Sequence, residues 1–449
     1  MNDNVTTGLT SELSDFVDDR PEDGVFRVNR QVYNDPDILE AEFQQIFENG
    51  WVFLCLEGLM RKTGDYVATA IGRQPVFVVR RADGTLGAQI NACAHRGALL
   101  TPGRAGNFDG NIKCPYHGWR YDTGGQCIAI SAEKIGWPED DFDRSQFNLK
   151  SVPRLESYRG FVFGSLNPDV VPLPEHLGGI TKFLDLYCAP APAELEVVAG
   201  ACIHTTNCNW KVVHDNGPDP YHAPTVHRNF AATLNHRDEK HGHGGLSQTE
   251  TGRLRGKVAT GSYAMGNGHT AFWADKQSPE SFPVYALKDQ YEQSMSPSMA
   301  KWAFDRSRHV TVFPNLLINE LASTYVRTYR PLGIDKTEIS SWCVAPVGEA
   351  PEARAARLRK FEDFFMPSGM STPDDIAIFE ITQEGNQAKS GHWSDMTRGA
   401  SVATPGPDDR ARELGIDPDF SSNNFQHEIM LQGIYRQWSR MMFGDGTTP

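Results

Sequence analysis

Several things are scarce in this sequence, and each scarcity narrows the function. No apolar run approaches the roughly 20 residues that a membrane-spanning helix needs. Positive charge is short: 43 Lys and Arg stand against 57 Asp and Glu, a net charge of −14. That balance argues against a nucleic-acid partner, whose phosphates need a basic surface, and against an anionic membrane. Cysteine is thin for a chain of 449 residues; eight are scattered, and they do not make a disulfide scaffold. The stretch MNDNVTTGLTSELSDFVDD has none of the basic, apolar and small-residue regions of a leader peptide, so a cytoplasmic location is expected. A convincing G-x-G-x-x-G is also missing. The Gly-rich stretch at 242–245 follows no strand and opens no helix, so NADH must be oxidised by a separate protein.

What is present is ordinary globular material, 39% hydrophobic and 22% charged, with room for two or three domains. Residues 1–50 read as an acidic tail and then a helical segment that packs on the catalytic domain. Asp35-Pro36-Asp37 marks the helix start, and Leu39, Phe43, Ile46 and Phe47 share one face. Residues 51–168 change character. Short β-rich runs punctuated by Asp83-Gly84 and Asp109-Gly110 predict a small antiparallel β domain with tight hairpins.

Inside that domain lie Cys93-Ala-His95 and Cys114-Pro-Tyr-His117. A structural zinc site is the competing reading, but a zinc finger supplies two cysteines and then two histidines. Here each half supplies one of each. That order fits a Rieske [2Fe–2S] cluster, in which two thiolates hold one iron and two imidazoles the other. Cys127 falls outside the pattern and reads as packing.

Residues 169–449 form the expected second domain. Its central stretch is Asn209-Trp-Lys, followed by Asp219-x2-His222-x4-His227. A lone histidine is usually a satisfied core or surface group. Two of them beside an acid suit a non-haem iron that handles dioxygen, because two imidazoles and a carboxylate leave positions open. On an ideal helix a five-residue spacing sets two side chains roughly 140° apart. Both can reach one ion only if the backbone bends, and Pro224 lies between them.

Farther on, residues 232–262 read as a long polar loop. Val310–Ile318, Tyr325–Arg330 and Glu338–Val344 read as antiparallel strands of one curved sheet, and 351–366 as a helix. Thr372-Pro-Asp-Asp375 opens another helix. Thr372 or Asp374 suffices as a cap; a second acid is what a third iron ligand would look like, with Asp375 favoured over Asp374. Residues 403–425 read as a polar linker and 427–442 as a last amphipathic helix. Met265 and the run Phe313, Asn315 and Leu316 are candidates to line a flat slot for a ring. Arg228 and Asn315 are candidates to anchor a substrate carboxylate, and Arg327 and Arg330 read as structural.

In this order, the motifs resemble the large (α) subunit of Rieske non-haem iron aromatic-ring-hydroxylating dioxygenases. The resemblance covers nearly the whole chain. GRQPVFVVR, INACAHRGALL, ESYRGFVFGSLNPDV, CVAPVGEAPEARAARLRKFEDFF and SGMSTPDD are similar to the benzoate/toluate/anthranilate 1,2-dioxygenase branch in particular. It implies an α+β fold: a small antiparallel β Rieske domain and a larger helix-grip (START-like) domain with a curved antiparallel sheet. It implies one [2Fe–2S] cluster on Cys93, His95, Cys114 and His117, and one mononuclear Fe(II) on His222, His227 and Asp375. Asp219 would bridge a cluster histidine of one subunit to His222 of its neighbour, and Asn216 would be a polar residue near the iron. Three α subunits with three small β subunits are implied, served by a reductase with or without a ferredoxin. The implied reaction adds both atoms of dioxygen to an aromatic ring, giving a cis-dihydrodiol from a benzoate-like substrate. The chain departs from the branch at Pro218-Asp219-Pro220 and at Arg228, both near the iron positions. An aniline- or anthranilate-type reaction releasing ammonia and an aromatic monohydroxylation are competing activities. A Rieske electron carrier is the non-enzymatic alternative, but it would leave His222, His227 and Asp375 without a use.

Overall fold

Left-handed glycines cut the first β-rich region into hairpins. Gly72 (φ 56°) joins Asp65–Ile71 to Gln74–Arg80, and Gly84 (φ 82°) joins the latter to Leu86–Ile90. A side chain would be strained at either turn. The computed structural model describes residues 15–138, 142–189, 195–241, 258–320, 323–388 and 390–444; the acidic tail 1–14 and the glycines at 242–245 lie outside them. The chain divides into two compact units, Phe43–Leu173 and Met1–Glu42 with Pro174–Pro449. The sequence reading set those joints at 50/51 and 168/169.

The smaller unit holds one four-stranded and two three-stranded antiparallel sheets. Tyr66, Phe77, Trp119 and Tyr121 form its core beside Cys93, Cys114 and Cys127, so Cys127 is indeed a packing residue.

The larger unit is built on a nine-stranded antiparallel sheet. Its strands are β1 (Leu195–Thr206), β2 (Thr260–Ala264), β3 (Thr270–Asp275), β4 (Arg306–Val312), β5 (Leu316–Asn319), β6 (Tyr325–Gly333), β7 (Lys336–Pro346), β8 (Thr404–Pro405) and β9 (Phe420–Ser422). Their order across the sheet is β1-β7-β6-β5-β4-β3-β2-β9-β8. Six helices matter for the site: α1 (Trp210–Asn216), α2 (Ala223–Val226), α3 (Arg228–His241), α4 (Pro351–Phe365), α5 (Thr372–Gly385) and α6 (Ile429–Phe443).

Four sequence expectations need correction. The run 310–318 is not one strand: residues 313–315 turn the chain, and β4 pairs antiparallel with β5. The lead-in to Pro36–Glu42 is a strand hairpin, Val17–Arg20 with Val25–Asn29, extended by Trp393–Asp395. Residues 232–241 of the expected loop 232–262 are helical, because α3 continues through 241. Its polarity belongs to an exposed face, while Phe230 is buried against Phe364. The linker 403–425 carries β8, β9 and a helix, Asp409–Leu414, which Asp408 caps and Gly415 (φ 74°) ends. Paired to the sheet edge, this polar stretch gains the backbone partners it lacks as an isolated segment.

Candidate metal centres and substrate cavity

Two similar loops present the cysteines and histidines of the smaller unit. In the first, the Gly97 N–H donates to the Cys93 carbonyl and the Cys93 N–H to Ala98; in the second, Gly118 donates to Cys114 and Cys114 to Trp119. Both glycines are left-handed, at φ 72° and 73°. Each loop therefore buries its sulfur and turns its imidazole outward. Cys93 and Cys114 are buried. Nδ1 of His95 and Nδ1 of His117 face one another at 3.2 Å, the His95 ring stacks on Trp119, and Arg96 donates to Nε2 of His117 at 2.8 Å. Burial raises the Cys93 thiol pKa, with the Tyr121 hydroxyl 3.2 Å from its sulfur pulling the other way. Two buried sulfurs on one side and two convergent Nδ1 atoms on the other fit a cluster whose irons differ in ligand type.

The second centre begins with α1. Asn209 caps it by accepting from the Lys211 N–H, and α1 ends at Gly217. A Cβ on Gly217 would stand 2.6 Å from Leu317, so only glycine lets the chain lie this close to the sheet. A turn then carries Asp219 and His222. Pro224 sits in the first turn of α2, where its missing N–H costs nothing. The chain breaks again at His227 before α3. The predicted bend is therefore real, and the imidazoles converge. Nε2 of His222 and Nε2 of His227 lie 3.3 Å apart, and Asp375 Oδ1, from the first turn of α5, lies 3.6 Å and 3.3 Å from them. Donors about 2.0–2.2 Å from a metal stand about 3.0–3.5 Å from one another, so this triangle has the size of a facial metal site. Asp375 Oδ1 is buried and has no hydrogen-bond partner among the described residues, as a metal-directed oxygen should be. Asp374 takes no part in the cluster.

The rest of each ring is also held. Asp219 accepts the Tyr221 N–H through Oδ1, and its Oδ2 lies 3.3 Å from Nδ1 of His222. Desolvation opposes protonation of His222, but the hydrogen bond and charge of Asp219 and the charge of Asp375 outweigh it and raise the pKa. Nδ1 of His227 meets Ser371 Oγ at 2.9 Å. Such partners set the tautomer that leaves Nε2 free for metal. The Asn216 amide nitrogen lies 3.3 Å from Nε2 of His222. Ser371 escaped the sequence reading because a serine before a helix looks like a cap; here it makes no cap and serves His227 instead.

Beside the triad is a cavity of about 380 Å³, within the usual small-molecule range of about 300–1,000 Å³. One wall carries Asn216, Asp219, His222, His227, Arg228 and Asp375; the other includes Phe272, His309, Leu317, Asn319, Tyr325, Arg327, Phe364, Phe365 and Phe425. Four expected lining residues are not part of it. Strand alternation sends Leu317 and Asn319 inward and Leu316 to the opposite face. Phe313 and Asn315 lie in the turn, where Phe313 packs on His214 and the Asn315 amide donates to Thr328. Met265 lies against Gly179. Arg228 does reach the cavity but is exposed. Arg330 pairs with Glu338, as a structural arginine should, whereas Arg327 faces the cavity.

The chain matches the Rieske [2Fe-2S] domain over residues 50–153 and the ring hydroxylating alpha subunit (catalytic domain) over residues 192–443. The chain belongs to the ring-hydroxylating alpha subunits. It is 38% identical over 432 residues to toluate 1,2-dioxygenase subunit alpha of Pseudomonas putida, covering 96% of this chain and 94% of that one. It is 37% identical to the anthranilate 1,2-dioxygenase large subunit of Acinetobacter baylyi, covering 95% and 91%. Naphthalene 1,2-dioxygenase of Rhodococcus sp. has the same fold, with a TM-score of 0.81 at 24% identity over 94% and 95% of the two chains. This alpha subunit is accordingly an oxidoreductase of α+β fold that uses a Rieske cluster and a mononuclear iron, with electrons from a separate reductase. It is one subunit of a multicomponent oxygenase. Among the described residues no helix is long and apolar enough to cross a membrane.

Proposed function

We propose that this alpha subunit dioxygenates an aromatic acid of the benzoate type, giving a cis-dihydrodiol. The observation that carries the reading is a ring-sized cavity with a two-histidine, one-carboxylate triangle on one wall and aromatic side chains around the rest. Relatives named for toluate, 2-halobenzoate and anthranilate support an acid as substrate.

In this reading His222, His227 and Asp375 hold the iron, and Cys93, His95, Cys114 and His117 hold the cluster. When bound, the two centres supply electrons and activate dioxygen. The chain's part is position and dryness. Asp219 and Ser371 hold the protons on Nδ1 of the two imidazoles, and Phe272, Tyr325, Phe364, Phe365 and Phe425 keep water from the ring. Asp219 also bridges to a cluster histidine of a neighbouring subunit. The working assembly is a ring of three α subunits with three small β subunits, in the cytoplasm, reduced by a reductase directly or through a ferredoxin.

The test is metal content and oxygen uptake. The purified protein should be red-brown and hold three irons per chain, two in the cluster and one alone. Benzoate, toluate, anthranilate, salicylate and aniline should be scored for uptake coupled to product. Zinc in place of iron, or uptake with none of the acids, sinks the reading.

A further inference from the structure

The cavity face of the sheet is laid out in rows across the strands. Phe272, His309, Asn319 and Tyr325 are successive cross-strand partners on β3, β4, β5 and β6. Two residues along lies the next row, Thr270, Thr311, Leu317 and Arg327. Residues two apart on a strand share a face. His309 and Arg327 therefore rise from the same side of the sheet in adjacent rows, and both line the cavity.

Arg327 is 5% exposed. Its guanidinium lies 5.2 Å from the Tyr325 ring centre, and its Nε donates to Ser341 Oγ at a long 3.4 Å. Among the described residues no carboxylate lies within ion-pairing distance of it. The other buried arginines among the described residues are all paired: Arg306 with Asp275, Arg308 with Glu320 and Arg357 with Glu349. A buried cation without an anion is costly, so an unpaired one in a cavity marks the place of an anion that arrives with the ligand.

His309 adds a neutral donor. The Asn319 amide nitrogen lies 2.7 Å from its Nδ1, which therefore accepts and leaves the proton on Nε2. Nε2 is buried and has no hydrogen-bond partner among the described residues. The ring stacks on Phe272 at 4.6 Å and is fixed in direction.

We propose that Arg327 and the Nε2–H of His309 form a carboxylate subsite, which holds the acid group on the sheet while the ring lies toward His222, His227 and Asp375. The inference rests on the oxygenase reading for the ring's place but makes a separate claim: the acid is selected by Arg327. Arg228 is not the anchor, because an exposed cation stays solvated and screened by salt.

The experiment measures 4-fluorobenzoate and 4-fluorotoluene binding to the iron-loaded oxygenase by ¹⁹F NMR, with cluster and iron content checked. Arg327→Met should weaken fluorobenzoate about 10–100-fold and leave fluorotoluene unchanged. Arg327→Lys should restore part of the loss. Without ligand, Arg327→Met should not lower the melting temperature, whereas loss of a structural ion pair would. If that variant does not accumulate, His309→Phe carries the test, again with selective weakening of fluorobenzoate. Unchanged fluorobenzoate binding in these variants, or equal loss of both ligands with metals intact, overturns the proposal. So does a wild-type protein that binds no fluorobenzoate. Fluorobenzoate that binds through Arg327 but is never oxygenated would instead sink the oxygenase reading and leave the subsite standing.

Discussion

Oδ2 of Asp219 lies 3.3 Å from Nδ1 of His222, on the ring edge opposite the nitrogen that meets His227 and Asp375. The acid therefore orients a metal-directed imidazole without touching the metal position. Asp219→Asn should retain iron and cluster yet lose about 10–100-fold in turnover, the usual scale for such partners. Oxygen uptake beside an iron assay checks it; full activity would remove Asp219 from the mechanism.

Ser371 does for His227 what Asp219 does for His222, with a neutral hydroxyl. Ser371→Ala should weaken iron retention about tenfold or more while the visible absorption of the cluster stays the same. Dialysis against a chelator, followed by metal analysis, separates the two.

Lys211 Nζ lies 2.6 Å from Glu42 Oε1, and both side chains are buried. The indoles of Trp210 and Trp438 also donate to Glu42. Residues near both ends of the chain thus grip the helix that leads to His222 and His227. Glu42→Gln should lower stability by about 3–5 kcal/mol, since it strands a buried cation. Chemical denaturation measures this, and a change below about 1 kcal/mol would contradict it.

Asp215 Oδ2 accepts from the Tyr33 and Tyr435 hydroxyls at 2.8 and 2.9 Å. Burial raises its pKa to about 7, against the pull of the two hydroxyls and Lys211. A carboxyl whose folded pKa is raised favours the folded state most at low pH. Its contribution is lost as pH climbs from the ordinary 3.8 to about 7, at no more than about 1.4 kcal/mol per pH unit. Asp215→Asn should flatten the pH dependence of stability across that window. Unfolding curves at pH 4.5, 6 and 7.5 would show the same slope in both proteins if Asp215 were ionised throughout.

Cys93→Ala should abolish the cluster's absorption and two of three irons, leaving the His222, His227 and Asp375 site able to bind iron. Loss of all three irons would mean that the centres do not load independently.

Much of this was legible along the chain because the signals are local. The Cys/His pairs at 93–95 and 114–117 and the run 219–227 each lie within one short stretch, and the Thr-Pro-Asp-Asp helix start spans four residues. Neighbouring helix positions differ by about 100°, and the packing of α5 sets Oδ1 of Asp375 beside the two histidines. Of the residues expected to line the pocket, only Arg228 does. Phe313, Asn315 and Leu316 were read from one continuous strand, but a turn at 313–315 and strand alternation bring Leu317 and Asn319 inward instead.

By itself the sequence determined the chemistry: which donor types stand at metal-ligand spacing, where the chain must bend, and that nucleotide oxidation lies elsewhere. Only the tertiary structure decided what the triad of His222, His227 and Asp375 faces. Arg327 and His309 stand on different strands, and nothing local distinguishes a buried arginine with a carboxylate beside it, such as Arg308, from one without. That difference depends on which side chains the register of a nine-stranded sheet brings together, a relation between distant residues that no short stretch of sequence contains.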